Sequence, residues 1–316
     1  VPNILSYINN RHNINLTTVE AEADDQIVVD YSFDKDKEKP FMPESKLDEI
    51  VHSLKLKKNI LLQGPPGVGK TFIAKKIAYQ IMGKTDDSKI KMVQFHQSYS
   101  YEDFVQGIRP TESGFKVKKG IFYEFCLRAE SDSKNQYFFI IDEINRGNLS
   151  KIFGELMSLI EPDKRGKEYS IPLTYSESEA DEFFVPENVY IIGTMNTADR
   201  SLALVDYALR RRFRFMTLEP CFNEAFENDL IEKGYSKKVV SEIVEKMNEL
   251  NKVISQDRNL GDGFRIGHSY FSYPLNGKSD KEAFTDIVKF ELAPLLKEYW
   301  FDNIDKAEAE IKALLA

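Results

Sequence analysis

Short runs of consecutive apolar residues recur along the first two thirds of the chain, separated by segments whose apolar residues have helical spacing. Four of these runs lie at residues 59–63 (NILLQ), 92–95 (MVQF), 137–141 (YFFII) and 188–192 (NVYII). Strands that are buried on both faces have this continuous apolar pattern, and their alternation with helices is typical of a parallel sheet. The pattern therefore predicts an α/β fold, a parallel sheet with helices on both faces.

The regions around this alternation have different patterns. Residues 1–45 combine a short helix-like start with acidic and mixed-charge runs, and we interpret them as a peripheral linker. A helix with Ser45 as its N-cap is expected before NILLQ. Residues 100–122 contain the turn-like TESG between two strand-like runs, which predicts a β-hairpin insert. Beyond a nucleotide-binding domain at 46–220 the spacing becomes helical, so residues 221–316 are expected to form a small helical domain.

Composition narrows the classes of function. The chain has 316 residues, of which 42% are hydrophobic, enough for a large and a small domain. Its net charge of -8 argues against a free-standing nucleic-acid binder, although a local basic patch is compatible with it. Cys126 and Cys221 lie far apart and the four histidines are scattered, so neither a disulfide framework nor a zinc site is expected, and a cytoplasmic location fits. The first residues lack the basic-then-apolar pattern of a secretion signal and no apolar run reaches the length of a membrane span, so we expect neither.

The residues after the first apolar run carry the strongest indication of chemistry. They are Gly64, Pro65, Pro66, Gly67, Val68, Gly69, Lys70 and Thr71, followed by a helical segment that starts at Phe72. This stretch fits the phosphate-loop motif G-x-x-x-x-G-K-[ST] in its required context between a strand and a helix. Its glycines allow backbone N–H groups to surround a polyphosphate, and the helix adds its positive end. Lys70 would reach the β- and γ-phosphates and Thr71 would bind Mg²⁺, whereas a chance glycine turn is the weaker alternative.

Two carboxylates follow the third apolar run. Asp142 and Glu143 are expected at the carboxyl end of a buried strand, where open α/β sheets bind ligands. Burying two unpaired acids would be costly, and a divalent cation together with an attacking water explains both. We therefore expect Asp142 to bind Mg²⁺ and Glu143 to act as the base that polarises water. The alternative, an acid pair at a helix N-terminus, is less favoured because a phosphate loop precedes it.

Polar residues also end the fourth apolar run, in GTMNTADRS at residues 193–201. This stretch is expected at the same edge of the sheet as the phosphate loop and the acid pair. Asn196 could hold the hydrolytic water or contact the γ-phosphate. Asp199 and Arg200 could sense the nucleotide or contact a neighbouring subunit. An ordinary polar loop is the alternative, and the neighbouring motifs make it the weaker one for Asn196.

The next segment, SLALVDYALRRRFRF at residues 201–215, has the pattern of a helix that ends in arginines. Arginine suits the spread negative charge of phosphoryl transfer, and an arginine from another subunit can accelerate that reaction strongly. Adjacent residues of a helix point in different directions. We expect Arg211 or Arg212 to be this arginine finger and Arg210 or Arg214 to form ion pairs. A solvated basic helix end is the alternative.

These motifs together resemble an AAA+ module, and longer stretches resemble McrB-type motor subunits of modification-dependent restriction systems. The stretches are VQFHQSYSYEDFVQGIRP (93–110), IIDEINRGNLSKIFGELMSLIEPDKRG (140–166), IPLTYSE (171–177), VPENVYIIGTMNTADRSLALVDYALRRRF (185–213) and GFRIGHSYF (263–271). The resemblance extends over residues 58–302.

This resemblance implies properties that the residues alone do not indicate. McrB-type subunits form hexameric rings, bind GTP in preference to ATP together with Mg²⁺, and are stimulated by an McrC-like nuclease subunit. Their N-terminal domain recognises DNA with modified cytosine, and residues 1–45 are too short to form such a domain. We expect backbone groups near residues 43–60 and the helical lid to contact the base. No NKxD-like guanine motif is present, so only the resemblance indicates GTP.

The resemblance also assigns the functional roles of the family to residues of this chain, by their positions in the matching motifs. Residues 64–71 match the Walker A loop, and Asp142 and Glu143 match the Walker B acids. Asn196 matches the first sensor, with Asp199 and Arg200 in the signature loop. Arg211 and Arg212 match the arginines that face a neighbouring subunit. Arg265, in GFRIGHSYF, corresponds to a second sensor, with a structural arginine as the alternative. The hairpin could contact DNA or the partner through Lys116, Lys118 and Lys119, although a solvated hairpin is favoured.

Two other functions share much of this pattern. One is an ATP-using remodelling ATPase of the MoxR type, which MNTADR and GFRIGHSYF argue against. The other is a nucleotide-gated assembly scaffold with negligible basal turnover. Lys70, Glu143 and Arg211 are all present, which favours an active enzyme.

Overall fold

The structure, a computed structural model, describes residues 28–112, 114–176, 181–199, 207–275 and 277–316. Its strands are β1 Asn59–Gly64, β2 Ile90–Gln94, β3 Gln106–Thr111, β4 Gly114–Lys119, β5 Tyr137–Asp142, β6 Ile171–Pro172, β7 Glu182–Phe183, β8 Val189–Asn196 and β9 Arg214–Thr217. Its α-helices are α1 Glu44–Lys57, α2 Lys70–Met82, α3 Tyr101–Phe104, α4 Ile121–Ser131, α5 Leu149–Phe153, α6 Leu156–Leu159, α7 Tyr207–Arg212, α8 Glu224–Glu232, α9 Lys237–Gln256, α10 Asp280–Ile287, α11 Ala293–Tyr299 and α12 Ile304–Leu315. Single 3₁₀ turns and one π turn, Val288–Leu292, connect some of these elements.

Five parallel strands form the central sheet, in the order β2-β5-β8-β1-β9. All four apolar runs of the sequence lie in it, so the predicted α/β fold with a parallel sheet is confirmed. The register aligns the carboxyl ends of the strands, with Gly64 beside Asn196 and Gln94 beside Asp142. The phosphate loop, the acid pair and the polar stretch therefore share one edge of the sheet.

The edge strand β9 corrects the prediction of one helix over residues 201–215. Helix α7 ends at Arg212, Phe213 is buried, and Arg214–Thr217 pairs with β1. Only Met216 of this strand is fully buried, so β9 lacks the continuous apolar pattern of the other strands. A four-residue edge strand of this kind cannot be told from the end of a helix by periodicity.

The two faces of the sheet are covered by different elements because successive strand residues point to opposite sides. Ile60 and Leu62 pack with α1 and α2, whereas Leu61 packs on the other face. In β5, Phe138 lies on the first face and Phe139 on the second. Both faces are therefore buried, as the continuous apolar runs indicated.

Helix α2 follows the phosphate loop directly. Its buried face consists of Ile73, Ala74, Ile77, Ala78 and Ile81. Its flanking residues Gly69 and Gly83 have φ values of 75° and 71°, a region that favours glycine, so the sequence fixes where the helix begins and ends. Helix α1 begins one residue before the predicted N-cap Ser45, with Pro43 at the cap position.

The described part of the segment expected to be a linker packs against the large domain. Phe33 and Met42 are buried with the residues of α1 and α2, and Lys76 forms an ion pair of 2.7 Å with Asp36. The linker interpretation is therefore wrong for residues 31–42. The apolar residues there are too few and too irregularly spaced to predict this packing from sequence.

Residues 222–314 form a separate helical core. Helix α9 contributes buried residues at alternating spacings of three and four, namely Val240, Ile243, Met247, Leu250 and Ile254. The π turn and the helices around it add Leu292, Leu296 and Trp300. This amphipathic spacing is what allows helices of a small domain to share one core.

The predicted hairpin is present as the antiparallel pair β3 and β4. It stands between the short helix α3 and the crossover helix α4. Gly120, where the chain enters α4, is buried against Phe104, and a Cβ there would lie 2.5 Å from the Phe104 carbonyl carbon. The root of the hairpin is therefore closely packed on the large domain.

Phe139 provides a test of this packing, because its ring lies 5.0 to 5.7 Å from those of Phe104, Phe122 and Phe125. Phe139→Ala is expected to lower the free energy of unfolding by about 3–5 kcal/mol, through lost burial and a cavity. Phe290→Ala, at a residue that is 74% exposed, should change it by less than about 0.5 kcal/mol. Urea unfolding followed by circular dichroism measures both, and equal losses would contradict the packing described.

Candidate functional site

The phosphate loop connects β1 to α2 and has the backbone that its motif predicts. Gly67 and Gly69 have φ values of 77° and 75°, which side chains of L-residues rarely adopt. Helix α2 begins at Lys70, and the N–H of Ile73 donates to the Gly69 carbonyl at 2.9 Å. The predicted residues 64–71 thus form one tight loop at the N-terminus of a helix, an arrangement that suits phosphate oxygens.

Lys70 lies over this loop and is buried. Its Nζ donates to the carbonyl oxygens of Gly64 and Pro65, at 3.1 and 2.9 Å. Burial lowers the pKa of the Lys70 ammonium to about 8, while the carboxylates of Glu143 and Asp142 act in the opposite direction. The ammonium therefore remains mostly charged at neutral pH, close to where the motif places the phosphates.

The hydroxyl of Thr71 and the carboxylate of Asp142 lie together at the start of α2 and the end of β5. Thr71 Oγ1 donates to Asp142 Oδ1 at 2.9 Å, and the hydroxyl of buried Thr194 donates to the same oxygen. A hydroxyl and a carboxylate are the hard oxygen ligands that Mg²⁺ prefers, so this pair fits the predicted metal site. Thr194 was not predicted from the sequence, although a polar residue inside an apolar strand could have indicated it.

Glu143 is held by two side chains from separate loops. Asn196 Nδ2 donates to Glu143 Oε1 at 2.5 Å, and Arg146 Nε donates to Glu143 Oε2 at 3.1 Å. Glu143 has a φ of 51°, an uncommon value for a residue other than glycine, and its side chain accepts no capping hydrogen bond from the backbone N–H groups of the following turn. The alternative of an acid pair that caps a helix is therefore wrong for Glu143.

Arg146 extends this contact to the signature loop. Its Nη2 donates to Asp199 Oδ2 at 3.1 Å, so one guanidinium joins Glu143 and Asp199. The structure thus places Glu143, Asn196 and Asp199 together, as the sequence predicted, and Arg200 lies outside the described residues. Arg146 was not predicted from the sequence, in which the available signal was a basic residue three positions after Glu143. With Arg146 and Asn196 in place, both carboxylate oxygens of Glu143 are occupied.

The arginines of α7 lie near the amino ends of the strands, at the end of the sheet opposite to the phosphate loop. β9 begins at Arg214, which pairs with Ile60 near the amino end of β1, whereas the phosphate loop follows the carboxyl end of β1. Arg212 forms an ion pair with Glu161 at 3.0 Å and donates to the Met157 carbonyl.

Arg211, in contrast to Arg212, has a side chain that is 81% exposed and only a 3.9 Å contact with Glu161. Because the two ends of the sheet are separated by the length of β1, roughly 20 Å for six residues, neither arginine serves the phosphate loop of its own chain. Arg211 is the one of the two that remains open to a second molecule.

The helical domain contacts the phosphate loop through its GFRIGHSYF segment. The backbone N–H groups of Gly267 and Ser269 donate to the carbonyls of Pro66 and Gly67, at 2.9 and 2.8 Å. A Cβ on Gly267 would lie 2.0 Å from the Gly67 carbonyl carbon, so this approach requires glycine. Arg265 forms an ion pair with Glu219, and its Nε donates to the Asp262 carbonyl at 3.1 Å. These contacts agree with the structural alternative for Arg265.

A cavity of about 760 Å³ opens beside the phosphate loop, between the large domain and the helical domain. Its lining includes Val68, Gly69 and Phe72 of the loop and α2, and His268, Ser269 and Tyr273 of the helical domain. Another part of the wall comes from residues 37–42 and Glu44, mostly before the range 43–60 that was expected to bind the base. Aromatic side chains with polar neighbours, next to a phosphate loop, suit a nucleotide base.

Comparisons with known proteins agree with this architecture. The model of the AAA domain of the dynein-related subfamily matches residues 59–213, and that of the McrB alpha-helical lid domain matches residues 242–308. The Type IV methyl-directed restriction enzyme EcoKMcrB subunit of Escherichia coli (strain K12) is 55% identical over 279 residues. The Type II restriction enzyme BsuMI component YdiS of Bacillus subtilis (strain 168) is 26% identical over 251 residues.

These alignments include different shares of each protein. The E. coli alignment covers 87% of this chain and 61% of the E. coli protein, and the B. subtilis alignment covers 66% of this chain and 72% of the B. subtilis protein. The chain therefore spans about three fifths of the E. coli relative. In the described residues, no helix is long and apolar enough to cross a membrane. With its AAA domain, its parallel five-stranded sheet and its McrB lid domain, the chain belongs to the McrB-type AAA family of P-loop nucleoside triphosphatases.

Proposed function

We propose that this chain is the motor of a restriction system directed against modified DNA, and that it hydrolyses GTP in preference to ATP. The observation that carries the proposal is the meeting of Lys70, Thr71, Asp142, Glu143 and Asn196 at one edge of the sheet. This set contains a group for each task of triphosphate hydrolysis: binding phosphate, holding a cation and activating water. The name of the E. coli relative, a methyl-directed restriction enzyme subunit, supports the restriction role.

Binding would begin with Lys70. Its ammonium is hydrogen-bonded to carbonyls of its own loop, and a triphosphate offers oxygens of higher charge at the same place. Thr71 and Asp142 would hold Mg²⁺, which would neutralise charge on the β- and γ-phosphate oxygens. The N-terminus of α2 and the N–H groups around Gly67 and Gly69 would orient the phosphates.

Hydrolysis would depend on releasing Glu143. Its carboxylate must accept a proton from the attacking water, and the oxygen that already accepts a hydrogen bond from Arg146 is not free to accept one from water. Asp199 is a second acceptor already bonded to Arg146, so the guanidinium can leave Glu143 without losing all its partners. Asn196 would then position the water against Glu143. This arrangement favours slow basal turnover that a partner accelerates, as the scaffold alternative also supposes.

Assembly would complete the site. The exposed Arg211 lies at the end of the sheet away from the phosphate loop, and it would reach the γ-phosphate of a neighbouring subunit in a hexameric ring. We further propose an McrC-like nuclease as the stimulating partner, DNA recognition mainly by a separate N-terminal domain, and a cytoplasmic location, which two free cysteines fit.

Phosphate release with GTP and with ATP, each with and without the nuclease partner, tests the function. GTP-selective turnover that the partner stimulates is the expected result. Glu143→Gln should still bind nucleotide but hydrolyse it at least about 100-fold more slowly, because the amide cannot accept a proton. ATP-selective turnover that the partner does not stimulate would instead support the MoxR-type remodeller. Near-normal turnover by Glu143→Gln would contradict the role of Glu143 as the base.

Mixing experiments separate the roles of the two arginines. Arg211→Ala should bind nucleotide normally and lose roughly 10³-fold in turnover, since the missing charge acts on a neighbour's phosphates. Adding Glu143→Gln subunits, which retain Arg211, should restore part of the activity through mixed interfaces. Arg212→Ala should instead lower stability, because it removes the arginine that lies closer to Glu161 and the hydrogen bond to the Met157 carbonyl. A loss of turnover in Arg211→Ala that mixing never rescues would contradict a role between subunits.

Lys70 predicts the pH dependence of nucleotide binding. Free Lys70 has a pKa near 8, and bound phosphate raises it, so binding above pH 8 must take up a proton. The affinity should therefore be nearly constant below pH 8 and fall about tenfold between pH 7 and pH 9. Titration with a fluorescent nucleotide measures this. In Lys70→Arg the side chain stays charged, so its nucleotide affinity, whatever its value at pH 7, should not fall between pH 7 and pH 9. A wild-type affinity that stays constant up to pH 9 would contradict the binding of phosphate by Lys70.

A further inference from the structure

The β3–β4 hairpin, residues 106–119, projects from the large domain as a free-standing two-stranded ribbon. Its root is buried at Gln106 and Gly107, and a Cβ on Gly107 would lie 2.4 Å from Cβ of Glu102. Beyond the root, the described residues 108–112 and 114–116 are all exposed. The hairpin precedes helix α4, which returns to the amino end of β5, so it stands on the side of the sheet where the phosphate loop lies.

The two faces of this ribbon differ in chemistry. Residues directly opposite each other in an antiparallel pair point to the same face. Ile108 pairs with Val117 and Pro110 with Phe115, which makes one face apolar, and Phe115 is 77% exposed.

The opposite face of the ribbon is basic. Arg109 pairs with Lys116, and Gly107 pairs with Lys118. Arg109 also forms an ion pair with Asp103. Lys116 and Lys118 are exposed and form no ion pair or hydrogen bond with any residue in the part of the chain that the structure describes. The basic face therefore carries two lysines whose charge is available to a partner.

The charge of the hairpin is opposite to that of the chain. It contains four basic residues, Arg109, Lys116, Lys118 and Lys119, and one acidic residue, Glu112, whereas the chain carries a net charge of -8. Lys119 lies apart from the basic face, with its ammonium 4.6 Å from the ring centre of Tyr123. An acidic protein that concentrates unpaired lysines on one projecting ribbon presents a local site for a polyanion.

We propose that this ribbon is a sequence-independent contact for duplex DNA. A two-stranded β-ribbon fits the major groove, which is about 12 Å wide. Lys116 and Lys118 lie on one face about 7 Å apart along β4 and can meet successive phosphates. Phe115 and Ile108 are exposed on the other face, where they can pack on the sugars of the DNA backbone, which are the same for every sequence. The proposal rests on the proposed function in that a restriction motor acts on DNA, and it assigns to this chain a DNA contact in addition to any N-terminal domain.

The salt dependence of binding tests this contact. Anisotropy of a fluorescein-labelled duplex of mixed sequence gives the association constant at several salt concentrations. Each neutralised phosphate contributes about 0.9 to the slope of log K against log salt. Lys116→Ala/Lys118→Ala should therefore reduce the slope by about 2 and weaken binding at low salt by about tenfold. Phe115→Ala should weaken binding while leaving the slope unchanged.

A matched control keeps the test specific. Lys289→Ala/Lys297→Ala removes the same charge from exposed positions of the helical domain and should leave the slope at the wild-type value. A hairpin variant whose slope equals that of the wild type, or a control that loses as much, overturns the proposal. So does a wild-type protein that does not bind the duplex at low salt. Unchanged DNA binding with lost stimulation by the nuclease would assign the ribbon to a protein partner and would also overturn it.

Phosphate release measured on the same proteins without DNA separates this proposal from the proposed function. Hairpin variants should turn over nucleotide at the wild-type basal rate, because no hairpin residue lies in the site. A protein that hydrolyses neither nucleotide but shows the reduced slope in the double variant would refute the motor function while supporting the DNA contact.

Discussion

The parallel register of the central sheet is the constraint on which the site depends. Gly64 lies beside Asn196 and Gln94 beside Asp142, so that the strands end together and their loops meet. A shift of one residue in β5 or β8 would exchange the faces that pack on the helices and would also move Asp142 or Asn196 by a few ångströms. The buried apolar runs that determine the register through packing therefore also determine the geometry of the candidate site.

Much of this arrangement could be predicted from sequence because its determinants are local. The phosphate loop is one contiguous motif, and glycines at Gly67 and Gly69 are demanded by the backbone itself. Asp142, Glu143 and Asn196 were found because each follows a continuous apolar run, and parallel strands bring such positions to one edge. In these cases a short stretch of sequence and a general rule of α/β folds were sufficient.

The remaining features depend on contacts between distant segments. Arg146 bonds to Asp199 across 53 positions, and only the folded chain reveals that it also holds Glu143. The same holds for the two arginines, since the 3.0 Å ion pair with Glu161 distinguishes half-buried Arg212 from exposed Arg211. Two features were not predicted: the packing of the segment around Phe33 and Met42, and the edge strand β9. Their apolar patterns are short or irregular, and such patterns do not indicate which surface will bury them.

The contact of Gly267 with the phosphate loop has a mechanical consequence. Two backbone hydrogen bonds and a glycine-to-backbone approach join the helical domain to the carbonyls of Pro66 and Gly67. These carbonyls belong to the peptide groups whose N–H dipoles surround the phosphates. A rotation of the helical domain would therefore strain the loop, and a rearrangement of the loop would in turn act on the helical domain. The two hydrogen bonds thus connect the shape of the phosphate loop to the orientation of a whole domain.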